Sequence, residues 1–87
     1  MAEMTFYDQH NVEHVVLNVF YNEEYNKVYA LYAARNKPTT FFIAYVNNNN
    51  GKYEFLDIED KIEFEKIKQL FLNLVDITVD SIQNNTI

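Results

Sequence analysis

With 87 residues, 48% of them hydrophobic, the chain has material for one small domain with a single core, near the lower limit of what folds without staples. It contains no cysteine, which excludes a disulfide framework and thiolate chemistry. Thirteen acids against seven bases leave a net charge of −6, a field that repels phosphate backbones and argues against direct nucleic-acid binding.

The opening Met1-Ala2-Glu3-Met4 has neither the basic nor the apolar region of a signal peptide, and no apolar run approaches the ~20 residues that span a bilayer. A cytoplasmic protein without a membrane partner is expected. In chain order, strands are predicted at Met4–Asp8, Glu13–Tyr21, Lys27–Ala34, Thr39–Val46 and Lys52–Asp57, each a β-branched and aromatic run. The four connections are short, which favours antiparallel hairpins. Asn50-Gly51 is a strong turn dipeptide, because both residues tolerate positive φ.

Pairing Phe6 with Val15, Leu17 with Leu31, Leu31 with Phe41 and Ile43 with Phe55 collects one apolar face. It comprises Met4, Phe6, Val15, Leu17, Val19, Tyr29, Leu31, Ala33, Phe41, Ile43, Tyr45, Tyr53 and Phe55, and is the predicted core face. The second face then carries Phe20, Val28, Ala30, Tyr32, Phe42 and Ala44 near its centre, with His14, Thr5, Lys52 and Glu54 toward its edges. An antiparallel sheet in water normally leaves one face polar. Either curvature buries the apolar centre, or it docks a second copy of the chain or another protein.

A helix is predicted from Asp60, which with Glu63 makes a capping-box-like start. Phe64, Ile67, Phe71 and Leu74 recur at helical spacing, widened by Leu70 and Ile77, and should cover the core face. Asp57, Glu59 and Asp60 sit where the helix dipole favours negative charge. The β-branched Ile77-Thr78-Val79 weakens the last turns, so residues 1–80 are expected to form the domain and 81–87 a loose tail.

Three blocks carry a family resemblance. They are Met4-Thr5-Phe6-Tyr7-Asp8-Gln9-His10-Asn11-Val12-Glu13, then Tyr25-Asn26-Lys27-Val28-Tyr29-Ala30-Leu31-Tyr32, and finally Leu56-Asp57-Ile58-Glu59-Asp60 followed by Glu63-Phe64. In order and spacing the chain resembles the YrzB-type family of small acidic proteins of low-GC Gram-positive bacteria, a domain of unknown function. It departs from the family's pattern at Asn11, where Gly is frequent, and at Asp57, where Pro is frequent. The resemblance implies a fold and a bacterial cytoplasmic setting, and no catalytic residue.

Nothing in the chain spells out chemistry. His10 and His14 flank the first turn without a third ligand at useful spacing, so solvated turn histidines are the ordinary reading and no metal is expected. The acids Glu54, Asp57, Glu59, Asp60, Glu63 and Glu65 lack the glycine of a calcium loop and the cleft of an acid–base pair. Gly51 is the only glycine, which excludes a phosphate-cradling loop, and the only serine, Ser81, has no histidine partner.

The sequence thus predicts an α+β domain, a five-stranded antiparallel meander with one C-terminal helix packed on its core face. No enzyme and no cofactor are expected. The leading expectation is a protein-interaction module, with another protein or a second copy as partner, using Phe20, Val28, Ala30, Tyr32, Phe42 and Ala44. The alternative is an acidic regulator that mimics nucleic-acid charge through the six acids named above.

Overall fold

The computed structural model describes residues 4–8, 10–37, 40–74 and 81–84. Five strands run in sequential antiparallel order: β1 (Met4–Tyr7), β2 (Glu13–Asn22), β3 (Lys27–Ala34), β4 (Thr40–Asn49) and β5 (Lys52–Leu56). Among the described residues one helix, α1 (Lys61–Leu74), follows, and the predicted meander-plus-helix architecture is the one observed. The helical positions predicted beyond Leu74, including Ile77, lie outside the described residues.

The turns explain the register. Asn11, Asn26 and Asn50 all adopt positive φ, a conformation that asparagine tolerates better than other side chains, and Gly51 follows Asn50 at φ 86. Asn50 and Gly51 make a two-residue turn between Asn49 and Lys52, so β4 runs three residues further than predicted and Asn47–Asn49 are paired strand. At the first turn the Asp8 carboxylate accepts the N–H groups of His10 (2.8 Å) and Val12 (3.0 Å), which draws Asp8 out of the strand.

One face of the sheet holds the core. Tyr29, Leu31, Ala33, Phe41 and Ile43 are buried there beneath Ile67 and Phe71 of α1, with Ile58 from the β5–α1 connection. Asp60 starts the helix as predicted, its carboxylate accepting the Ile62 N–H at 2.9 Å. Glu63 does not complete a capping box. It turns into the sheet, where it accepts the Tyr29 hydroxyl proton and pairs with Lys27 at 3.1 Å. This buried network sets how the helix lies on β3, and the Lys27 ammonium is further held over the Tyr45 ring at 4.7 Å.

The predicted loose tail is corrected over part of its length. Residues Ser81–Asn84 form a sixth strand, β6, parallel to β4 through Thr40↔Ser81, Phe41↔Ile82, Phe42↔Gln83 and Ile43↔Asn84. Since β3 already occupies the other edge of β4 over Phe41–Val46, β6 must lie on the edge that β5 uses at Tyr45–Asn49. The two strands share that edge end to end, and β6 covers ladder groups that β5 leaves open.

Candidate functional site

Three register differences decide what the second face of the sheet contains. At the first hairpin Phe6 pairs with His14 rather than Val15. A β-bulge at Leu17 changes the alternation of β2, so that Val19 pairs with Ala30 and Phe20 with Tyr29. The tight Asn50-Gly51 turn pairs Val46 with Phe55 instead of Ile43 with Phe55. Each shift of odd length exchanges the two faces of a strand.

Their joint effect is to remove Met4, Phe6, Val19, Tyr53 and Phe55 from the predicted core face. All five join Val16, Val28, Ala30, Tyr32, Phe42, Ala44 and Val46 on the side away from the helix. Phe20 makes the opposite move. It lies on the helix side, 4.8 Å from the Phe71 ring, and is corrected from candidate interface to core packing.

Such a face cannot lie flat in water, and the sheet curls. In a flat sheet β1 and β5 would stand four strand spacings apart, roughly 19 Å. Here the Phe6 and Phe55 rings meet with centroids 4.5 Å apart, closing the far end of a half-barrel. Tyr32 packs edge-on to Phe6 at 5.2 Å and stacks on Phe42 at 5.5 Å. Curvature accordingly buries much of the expected docking surface: Ala30, Tyr32 and Ala44 are all 0% exposed, and Phe42 and Val28 are half-buried.

Beyond this aromatic plug the half-barrel is hollow. A cavity of about 660 Å³ opens between Val16, Val19, Val28 and Val46 on the inner strands. Met4, Thr5 and Phe6 of β1 close one side, and Tyr53 and Phe55 of β5 the other. Met4, Val19 and Tyr53 form an exposed apolar rim, with Tyr21 beside them on β2. The inner wall of the hollow is made of short aliphatic side chains, Val16, Val19, Val28 and Val46, whereas the plugged end holds the stacked rings of Tyr32 and Phe42. None of the strand positions that the registers assign to this face is Asp, Glu, Lys or Arg.

His14 is the one ionisable imidazole at the plugged end, and it is not a solvated turn residue as expected. It is buried, stacked on Phe6 at 5.0 Å and bonded through Nε2 to Asp8 Oδ2 at 2.9 Å. That bond, reinforced by the Val12 N–H, holds the Asp8 carboxyl down at about 2. His14 Nδ1 is buried without a hydrogen-bond partner among the described residues. Tyr32 beside it ionises well above the ordinary tyrosine range, first because of burial and then because of the charges of Asp57 and Asp8.

The six acids do not form one array. Glu63 is buried in the helix–sheet network, and Asp60 is committed to the helix cap. Glu65 pairs with Lys68, and Glu54 accepts from Asn47, while Asp57 and Glu59 are exposed. Among the described residues no group of three His, Cys, Asp or Glu is placed to hold a metal ion, and no helix is long and apolar enough to cross a membrane.

The cavity was reachable from sequence only through the faces, and those turned on the bulge and on two turn lengths. Neither family models, curated proteins nor solved structures give a significant match to this chain. The YrzB-type resemblance therefore rests on its three sequence blocks.

Proposed function

We propose that this chain is a non-enzymatic binding module, and that it works by taking an apolar group into the mouth of its half-barrel. The supporting observation is the apolar cavity of about 660 Å³, open at the exposed rim of Met4, Val19 and Tyr53. Its size lies within the ~300–1,000 Å³ typical of binding clefts, and barrel mouths are recurrent places for them. The interaction surface inferred from sequence is kept in a narrower form. Contact is made at the mouth by a group that enters it, because Ala30, Tyr32 and Ala44 are already covered by the curl.

Against an acidic mimic, Glu63 is buried in the fold, Asp60 caps the helix, Glu65 pairs with Lys68 and Glu54 accepts from Asn47. A cytoplasmic setting remains part of the proposal. To test the reading, tagged wild-type chain and Val19→Trp are passed through the same cell extract, and everything retained is identified, small molecules included. Val19 is half-exposed on the rim, so the indole narrows the mouth while leaving the core alone. Molecules held by the wild type and lost with Val19→Trp support the reading. Equal retention by both places binding elsewhere.

A further inference from the structure

We infer that the mouth of the half-barrel is a small-molecule site for an uncharged apolar ligand, of the class of a medium-length alkyl chain with a neutral head. The inference rests on the binding reading above and names its ligand. Three observations carry it.

The first is shape. The cavity is walled by strands on several sides rather than spread over a plane, because the Phe6–Phe55 contact draws the two ends of the sheet together. A protein partner would need a broad patch of roughly 800 Å² per side, whereas a concave hollow of this volume buries most of a small ligand. The second is charge. The face carries no Asp, Glu, Lys or Arg at its strand positions. Thr5 pairs with Val15, so its side chain faces the helix side, and among the described lining residues the Tyr53 phenol at the rim is the one side-chain hydroxyl on this face. An ionised head drawn inside would lose hydration without a counter-charge. In addition, the net charge of −6 disfavours an anion at the opening.

The third is the space itself. Val16, Val19, Val28 and Val46 line the hollow with short aliphatic side chains where aromatic residues would fill a strand interior well. The described lining is mostly apolar, so the hollow does not demand a specific hydrogen-bonding ligand. Such a site selects by size and hydrophobicity.

The experiment uses the intact chain and N-phenyl-1-naphthylamine, a neutral dye whose emission rises in apolar surroundings. The wild type should take it up saturably at micromolar concentration. Dodecan-1-ol should displace it at least about tenfold more effectively than dodecanoate. Val19→Trp and, as a second filled variant, Val46→Phe should each weaken uptake by about tenfold or more while keeping the wild-type circular dichroism. Absence of saturable uptake by the wild type, or uptake unchanged in both folded variants, overturns the inference. So does preference for dodecanoate. If the dye fails while an extract protein is still lost with Val19→Trp, the ligand class is wrong and the binding reading stands. Should neither depend on Val19, both fall.

Discussion

Removing the Glu63 carboxylate would strand two donors at once, the buried Tyr29 hydroxyl and the Lys27 ammonium. Tyr29 is fully buried, and its ionisation is pushed far above the usual range by that burial and by the Glu63 bond, so it stays a neutral donor. Glu63→Ala is therefore expected to cost about 2 kcal/mol, within the ~1–3 kcal/mol of a buried polar group left unpaired. Glu63→Gln keeps an acceptor and should cost less, a comparison read from urea unfolding of the two variants. At the first turn Asp8 gives a pH signature. Its folded carboxyl titrates at about 2 against an ordinary 3.8, so its contribution to stability is complete above about 3.8 and lost as pH falls toward 2. In Asp8→Asn that part of the acid limb should be missing, and stability at neutral pH lower, in thermal melts followed between pH 2 and 7.

Elements were legible where the local pattern is strong. The strand runs, the Asn50-Gly51 turn and the Asp60 helix start all follow from residues within a few positions of one another. Asp60→Ala should accordingly cost about 1 kcal/mol, the usual worth of an N-cap, measured by chemical unfolding. What local pattern did not show is face membership. Leu17 looks like an ordinary inward residue of an alternating strand, yet it is the bulged one, and every residue of β2 after it changes sides. Asp8 reads as the end of a strand, yet its carboxylate prefers the turn. The polar Asn47–Asn49 read as loop, yet they pair with Lys52–Glu54. Likewise β6 depends on a long-range partner, β4, that its own short sequence does not name. Ending the chain after Asp80 should raise amide exchange over Thr40–Ile43, where β6 pairs, and leave Glu13–Asn22 as protected as before. Unchanged exchange in β4 would mean that β6 adds no protection there.

On the scale of the whole molecule, the sheet has two apolar faces and two different ways of sheltering them. The helix covers one, with Ile67 and Phe71 set over Leu31, Ile43 and their neighbours. Curvature covers the other, and only in part, because the aromatic rings of Phe6, Tyr32, Phe42 and Phe55 fill one end while valines leave the opposite end hollow. The sequence suggested that the second face was apolar and left open whether curvature or association buried it. The structure assigns the plugged end to curvature, and the mouth is the place of the proposed ligand. Valine methyl NMR during addition of dodecan-1-ol tests this most directly, since Val16, Val19, Val28 and Val46 line the cavity and Val15 belongs to the helix side of the sheet. The expected result is saturable shifts in those four valines with Val15 unmoved. Shifts absent from the four, or equal in Val15, would contradict the account.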